Sequence, residues 1–193
     1  FVALGAHEPN TLEDGWTVET IAYRLNPALV HWAYELTKDV KITDDSELAA
    51  FRAQFAEAYP NAARPPFVLI GDSLGSSKYW HGALLNQWAN DWMKLHTGGA
   101  ANFVMSNMED NGTLTALHRH AKTGRVDTDR VLVLRTASNF SMPPPGHDAG
   151  WSTTAPYPAR GLPAKEAAYQ VTKVVLDALL ADWATVRETP PSQ

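Results

Sequence analysis

The chain has 193 residues, 45% of them hydrophobic, and its 16 basic and 21 acidic side chains give a formal net charge of −5. This composition supplies enough apolar residues for one buried core, and seven Trp, six Tyr and six Phe exclude disorder over most of the chain. The mildly acidic balance disfavours an electrostatic grip on DNA or RNA, and the absence of Cys excludes disulfides, thiol nucleophiles and thiolate metal sites.

The ends of the chain and its apolar runs bear on targeting. The first residue is Phe1, and no charged-then-apolar leader precedes it, so we expect a processed form or a fragment. The best candidate for a membrane helix, residues 171–186, is interrupted by Lys173, Asp177 and Asp182 and is shorter than the ~20 residues that a span needs. We therefore expect this chain not to cross a bilayer.

The first part of the chain predicts two helices. Asn26 followed by Pro27 is typical of a helix start, with Asn as the N-cap and Pro at the first helical position. A second helix is predicted from near Asp44, because Glu47 stands three residues later as in a capping box, and Pro60 ends it.

Strand and helix patterns then alternate. Residues 67–70, Phe-Val-Leu-Ile, form a short unalternating apolar run that predicts a central strand of a parallel sheet, buried on both faces. A turn over residues 71–77 leads into a predicted helix over residues 79–95, and the Gly-Gly pair at residues 98–99 is expected to end that helix.

The pattern repeats in the second half of the chain. A weaker strand is predicted over residues 102–106, a helix over residues 109–121, and a second strong apolar strand over residues 131–134. An irregular stretch rich in Pro and Gly, residues 140–163, precedes a last helix over residues 164–186; loops of ~20 residues inside a compact domain are usually functional or mobile. The alternation indicates an α/β fold with a mostly parallel sheet.

Polar residues follow all three predicted strands. They are Gly-Asp-Ser at residues 71–73, Asn-Met-Glu at residues 107–109 and Thr-Ala-Ser-Asn at residues 136–139. Ligands of parallel α/β sheets bind beyond the carboxyl ends of the strands. The sequence therefore predicts a binding site at this edge of the sheet.

The residues 71–75, Gly-Asp-Ser-Leu-Gly, match the G-x-S-x-G pattern of a nucleophile elbow between a strand and a helix. In a serine hydrolase, Ser73 would attack an ester carbonyl with a His as base. The GDSL esterases share these letters but place an Asp just before a His near the carboxyl end, and no Asp precedes the last His, His147, in that way. The alternative is a Gly-rich turn whose Ser caps a helix or binds a ligand hydroxyl.

Other residues at the strand ends have the chemistry to bind a sugar and a base. Glu109 can accept two hydrogen bonds from a vicinal diol, with the Met108 thioether as an apolar floor, although acidic residues also simply favour helix N-termini. Tyr79 and Trp80 can stack on a planar base for ~1–3 kcal/mol each, unless one of them is a core residue. Asn139 offers a donor and an acceptor to the edge of a heterocycle.

The seven His residues do not indicate a metal site. His118 and His120 are two residues apart on a predicted helix, whereas helical metal pairs are spaced i, i+4. We expect solvated or helix-capping histidines and no bound metal.

Three segments, residues 67–82, 102–117 and 131–146, resemble the carboxyl-terminal half of the purine nucleoside permease family, which is related to the nucleoside phosphorylases. The most specific runs are Met-Glu-Asp-Asn-Gly-Thr-Leu from Met108 and Leu-Arg-Thr-Ala-Ser-Asn from Leu134. The resemblance covers nearly the whole chain. It implies a nucleoside phosphorylase-like three-layer α/β sandwich with a mixed, mostly parallel sheet, of which residues 1–193 would be a single unit at the carboxyl end.

The resemblance also implies roles for the residues at the strand ends. Glu109 would accept hydrogen bonds from the 2′ and 3′ hydroxyls of ribose, and Met108 would pack under the sugar. Tyr79, with Trp80 adjacent, would stack on the base.

Ser138 and Asn139 would read the purine. Many relatives have Asp at the position of Asn139, where it can protonate the leaving purine, whereas Asn supplies only a hydrogen bond. Glu109 and Asn139 would then be the catalytic pair for cleavage of the N-glycosidic bond, the first fixing the diol and the second stabilising charge on the departing base.

Three functions remain open at this point. The first is a purine nucleoside-binding protein with a phosphorylase- or nucleosidase-like site, which needs no cofactor and uses phosphate as a candidate co-substrate. The second is a non-catalytic binding component of a nucleoside transport system, and the third is a serine hydrolase using Ser73. The resemblance further implies a homo-oligomer, an amino-terminal half of the same protein as a partner, and a soluble chain that is periplasmic or exported.

Overall fold

The computed structural model describes residues 5–13, 15 and 19–192, with the side chains of residues 159 and 160 left out. The chain divides into two compact units, the first made of residues 1–24 and 71–128 and the second of residues 25–70 and 129–193. The described residues form helices and one two-stranded parallel sheet. The predicted α/β class is therefore confirmed at that level.

The sheet lies in the first unit and consists of β1 (Asp72–Gly75) and β2 (Phe103–Asn107), which run parallel. β2 confirms the weaker predicted strand. β1 occupies residues that were predicted to form a turn, and that prediction is wrong because the ladder to β2 outweighs the turn-forming residue types. At the start of β1 a Cβ on Gly71 would lie 2.4 Å from a methyl carbon of Val104, so the close approach of the strands requires glycine there.

Helix α3 (Ala83–Thr97) connects the two strands and packs against β2. Its Ala89 and Met93 form the core of the first unit together with Leu74 of β1, and Ala89 is completely buried. Gly98 ends the helix with φ of 61°, which confirms the predicted stop and explains it, because glycine adopts this left-handed conformation without strain.

Helix α4 (Asp110–Ala121) follows β2 and contacts residues 20–23, which lie early in the chain. The Tyr23 hydroxyl and Thr115 Oγ1 are hydrogen-bonded at 2.6 Å, and the Tyr23 ring lies 4.7 Å from that of His118. Asn111 Nδ2 donates to the Thr20 carbonyl at 3.4 Å. These contacts tie α4 to residues far away in sequence.

The second unit begins with α1 (Pro27–Thr37) and α2 (Ser46–Ala53). The predicted cap of α1 is confirmed, since Asn26 Oδ1 accepts from the backbone N–H groups of residues 28 and 29 at 3.0 and 3.4 Å. The N-cap of α2 is Asp45, whose Oδ1 accepts from Leu48 N at 2.8 Å, and this is one residue later than predicted. The helix also ends well before Pro60.

The carboxyl-terminal part of the second unit holds α5 (Leu162–Ala181) and α6 (Trp183–Val186). Helix α5 packs against α1 and buries Val171 and Val175. A single helix was predicted here, but the backbone leaves the helical conformation at Asp182, with φ −114° and ψ 30°. Within the described part of the chain, none of the helices has the length and apolar character that crossing a membrane would take.

The irregular stretch of residues 140–163 contains two short 3₁₀ helices, Ala149–Thr153 and Pro158–Gly161. It contributes to an aromatic cluster, which we define by the rings of Phe51, Phe55, Phe140, Trp151 and Tyr157. The ring centroids of Phe55 and Phe140 are 4.2 Å apart, and those of Phe51 and Tyr157 are 5.0 Å apart. Phe55 is only 1% exposed. The stretch is therefore anchored at two points: Tyr157 packs on Phe51 of α2, and Phe140 packs on Phe55 just after that helix.

The two strongest predicted strands, residues 67–70 and 131–134, are not strands in this structure. Strand formation requires a hydrogen-bonded neighbour, and within the described part of the chain the backbone groups of these two runs make no hydrogen bond. Leu69 and Ile70 are each 46% exposed instead of buried on both faces. An apolar run indicates a strand only where another strand is available to pair with it.

Candidate functional site

The candidate site lies at the carboxyl ends of β1 and β2, which we call the carboxyl edge and define by Gly75 and Asn107. These two residues are partners in the parallel ladder. Ser76 N donates to the Asn107 carbonyl at 2.8 Å, so the strands remain paired up to the point where the chain leaves them. The segments that follow, with Tyr79 after β1 and Met108-Glu109 after β2, therefore start from the same edge of one small sheet.

Asn107 organises the start of α4. Its side chain is buried, and its Oδ1 accepts from the backbone N–H groups of Glu109 at 3.1 Å and Asp110 at 2.9 Å. Glu109 stands at the N-cap position of α4 but makes no side-chain capping hydrogen bond, so the amide oxygen of Asn107 takes over that function.

Glu109 and Met108 are both exposed, with Met108 at 59%. One carboxylate oxygen of Glu109, Oε2, accepts from Met108 N at 3.3 Å. This contact folds the carboxylate back over its own strand end, and a carboxylate has further acceptor capacity on its two oxygens for a pair of hydroxyl groups. Their place directly after a strand confirms the position expected from the sequence, and their role in binding stays a prediction.

Tyr79 and Trp80 have different environments. Tyr79 is 57% exposed and meets the ring of His81 edge-on at 4.3 Å, while partial burial raises the pKa of its hydroxyl. Trp80 packs against the core of the first unit, with its ring 6.2 Å from that of Phe103. Its Nε1 is buried without a hydrogen-bond partner among the described residues. Tyr79 is thus the ring of the pair that a ligand can reach most directly.

Ser138 and Asn139 belong to the second unit. Ser138 is exposed, and its hydroxyl donates to Asn139 Oδ1 at 3.3 Å, while Asn139 Nδ2 donates to the Phe140 carbonyl at 3.3 Å. Nearby, Thr136 Oγ1 donates to the Ala164 carbonyl at 2.8 Å and fixes the segment to the start of α5. The structure thus defines the orientation of the Asn139 amide within its own unit.

Ser73, the central residue of the G-x-S-x-G match, lies inside β1 and not on an elbow. Its hydroxyl donates to Asp110 Oδ2 at 3.2 Å and accepts from Asn107 Nδ2 at 3.1 Å. Within the described residues no histidine is among its hydrogen-bond partners, so this geometry supplies no histidine base. The arrangement gives no support to a serine hydrolase, and Ser73 instead links β1 to the start of α4.

Sequence reasoning placed Asn107 at a strand end but assigned no role to Asn107 or Asp110. A local signal was present, because an Asn two to three residues ahead of a helix with an acidic first turn is a typical capping arrangement. The contact of both residues with Ser73 could not have been read from the sequence, since it joins positions 34 and 37 residues apart.

Comparison with known proteins shows which family this chain is similar to. A model of the purine nucleoside permease family matches residues 1–190. The chain belongs to the purine nucleoside permease family. The resemblance inferred from Met108-Glu109 and Ser138-Asn139 is therefore confirmed at the level of the family.

Curated family members show the same relationship. A purine nucleoside permease of Candida albicans is 34% identical over 151 residues, which are 77% of this chain and 36% of that protein. A probable purine nucleoside permease of Schizosaccharomyces pombe is 32% identical over 122 residues, which are 63% of this chain and 34% of that protein. The chain thus spans about a third of the length of the curated relatives it matches. No solved structure matches it significantly.

Proposed function

We propose that this chain binds a purine nucleoside at the carboxyl edge of its sheet. Glu109 accepts hydrogen bonds from the 2′ and 3′ hydroxyls of the ribose, Met108 packs against the sugar, and Tyr79 stacks on the base. The observation that carries the proposal is the hydrogen bond from Ser76 N to the Asn107 carbonyl at 2.8 Å, because it keeps the two segments that bear these residues at one edge. The family supplies the class of ligand.

Three further residues complete the proposal. Trp80, whose ring packs on Phe103, supports the segment that carries Tyr79. Ser138 and Asn139 contact the purine, a role that rests on the sequence resemblance and on the donor and acceptor groups that both side chains offer. Asn139 in particular presents an amide whose orientation is set by the Phe140 carbonyl.

We propose in addition that the site cleaves the N-glycosidic bond. The bond between C1′ and the purine nitrogen breaks, its electron pair goes to the purine, and an oxygen of phosphate or water bonds to C1′. Glu109 holds the diol as positive charge develops on the sugar, and the Asn139 amide donates a hydrogen bond to the departing base while solvent supplies its proton. Phosphate is the co-substrate in the phosphorolytic form.

A non-catalytic role in nucleoside uptake is the second candidate. The name of the family, purine nucleoside permease, favours it. In that case the same residues bind the nucleoside, the glycosidic bond stays intact, and the chain serves as the binding part of an uptake system. Both forms require the carboxyl edge to recognise ribose and purine together.

The proposal includes a wider fold for the complete family protein. The curated relatives are about three times as long as the segment matched here. In a nucleoside phosphorylase-like three-layer sandwich, residues 67–70 and 131–134 would be strands of one sheet. This agrees with their backbone groups, which make no hydrogen bond among the residues that the structure describes. Further polypeptide of the family protein, or a second copy in a homo-oligomer, would then supply the neighbouring strands.

Calorimetry and product analysis test these proposals together. We expect inosine or adenosine to bind saturably, and ribose or free purine alone to bind more weakly, because neither fills both halves of the site. Release of free purine that requires phosphate indicates phosphorolysis, release without phosphate indicates hydrolysis, and binding with the nucleoside recovered intact indicates the uptake role. Absence of any binding by inosine, adenosine or guanosine would overturn the proposed function.

A further inference from the structure

The side-chain amide of Asn107 joins several groups at the carboxyl edge. It is only 7% exposed, and both of its ends are used. Its Oδ1 accepts from Glu109 N at 3.1 Å and Asp110 N at 2.9 Å, and its Nδ2 donates to Ser73 Oγ at 3.1 Å. A buried amide that uses both its oxygen and its nitrogen in this way holds its neighbours in one arrangement.

Ser73 links Asn107 to Asp110 through its hydroxyl. Its hydroxyl, which accepts from Asn107, donates in turn to Asp110 Oδ2 at 3.2 Å. Asp110 is the first residue of α4, so the hydroxyl of β1 is bonded both to the end of β2 and to the start of the helix. Hydrogen bonds thereby join β1, β2 and the start of α4 next to Glu109, which immediately precedes α4.

We propose that Asn107 is a positioning residue that fixes the backbone of Glu109 for binding of the ribose diol by its carboxylate. The proposal rests on the proposed function, in which Glu109 binds that diol. Glu109 gives no side-chain cap to α4. Asn107 caps the helix in its place, and the same Asn107 oxygen holds the Glu109 N–H in position.

Binding of inosine and 2′,3′-dideoxyinosine to the chain separates positioning from a general effect on the fold. We expect Asn107→Ala to weaken inosine binding by about tenfold, on the scale of two hydrogen bonds, and to leave dideoxyinosine unchanged. The dideoxy ligand lacks the hydroxyls that Glu109 would bind. Asn107→Asp keeps an acceptor oxygen for the two N–H groups, although it replaces the donor to Ser73 with an acceptor and adds a negative charge. It should therefore retain most of the affinity, as should Ser73→Ala.

Asn102→Ala is the matched control, because it makes the same exchange just before the other end of β2. It should change neither affinity. Equal weakening of both ligands by Asn107→Ala, or no weakening of either, would overturn the proposal. A Ser73→Ala, Asn107→Asp double variant should lose no more than the larger single loss, since both changes remove the same link.

A second readout needs no ligand. Amide hydrogen exchange at Glu109 and Asp110 should become faster in Asn107→Ala and stay slow in Asn107→Asp and Asn102→Ala, because only the first removes the oxygen that both amides donate to. If the unsubstituted chain binds no nucleoside, the proposed function fails while this measurement still decides whether Asn107 holds the Glu109 backbone. Unchanged exchange in Asn107→Ala would refute the positioning role even if nucleosides bind.

Discussion

Gly75 and Asn111 approach so closely that no side chain fits between them. A Cβ built on Gly75 would lie 2.0 Å from Asn111 Oδ1 and 2.9 Å from its Cγ. The Asn111 amide cannot turn away without cost, because its Nδ2 donates to the Thr20 carbonyl. We expect Gly75→Ala to lower the free energy of unfolding by about 1–3 kcal/mol, as overpacking of a filled site does. Urea denaturation measures this directly.

Two companion variants make that prediction specific. Gly112→Ala, in the first part of α4 where a Cβ would meet nothing within 4 Å, should stabilise the chain by about 1 kcal/mol through helix propensity. Asn111→Ala in the Gly75→Ala background should recover part of the loss, because it removes the two nearest atoms. A Gly75→Ala chain as stable as the unsubstituted one would contradict the close approach.

Asn26 performs two tasks that one pair of substitutions can separate. Its Oδ1 caps α1, and its Nδ2 donates to the Asp129 carbonyl at 3.1 Å. We expect Asn26→Ala to cost about 1–2 kcal/mol, since it removes the cap as well as the second contact. Asn26→Asp should cost less, because its carboxylate still caps the helix. Thermal unfolding of both variants gives the comparison, and equal losses would mean that the cap contributes little.

The pair formed by Asp44 and Arg52 predicts a pH dependence of stability. Two hydrogen bonds of 2.8 and 2.7 Å join the carboxylate and the guanidinium, whose side chains are 25% and 13% exposed. The hydrogen bond from Arg52 lowers the pKa of Asp44 below its ordinary value of 3.8, against the opposing effect of burial. The contribution to stability is therefore complete above that ordinary value and is lost as pH falls through the lower value of the folded state.

We expect Asp44→Asn to lower the free energy of unfolding at pH 7 by about 1–2 kcal/mol. The difference from the unsubstituted chain should shrink at pH 3 and below, where the native carboxyl also begins to be protonated. Asp39→Asn, at an exposed position with no ion pair among the described residues, serves as the control. A difference that stays constant from pH 7 down to pH 2 would show that the charge of Asp44 is irrelevant.

Glu109→Gln tests the proposed ribose contact. Loss of the charge should weaken inosine binding by about 10- to 100-fold, the scale of two hydrogen bonds to a charged group, and should change the melting temperature little because the residue is exposed. Glu166→Gln, an exposed position in α5, is the matched control. A large fall in melting temperature with unchanged affinity would instead assign Glu109 to the stability of α4.

Local signals in the sequence predicted some helix ends but not others, since α3 begins at Ala83 and not at residue 79. Asn26 before Pro27 placed the start of α1, and Gly98 placed the end of α3, because capping depends on residues within a few positions of the helix end. The strands depended on distant partners. Residues 71–77 have turn-forming residue types, yet four of them form β1 because β2 lies alongside. Residues 67–70 are strongly apolar and make no ladder with any described part of the chain.

In the candidate site, too, local features could be predicted from the sequence and long-range contacts could not. The position of Met108 and Glu109 directly after a strand was predictable, since a short apolar run followed by acidic residues marks a strand leading into a helix. The contact of Ser73 with Asn107 and Asp110 was not, because it follows from the register of the ladder. The G-x-S-x-G motif was therefore predicted to form a turn, whereas its residues 72–75 form strand β1.

The packing of the aromatic cluster should hold the protein together after proteolytic cleavage of its backbone. Gly146 lies exposed between Phe140 on one side and Trp151 and Tyr157 on the other. These rings pack on Phe51 of α2 and on Phe55, which follows that helix. A protease that nicks the backbone near Gly146 would leave an amino-terminal fragment that carries α2 and a carboxyl-terminal fragment whose Trp151 and Tyr157 still pack on Phe51. Such a nicked protein should elute from a sizing column as one species and separate into two bands only after denaturation.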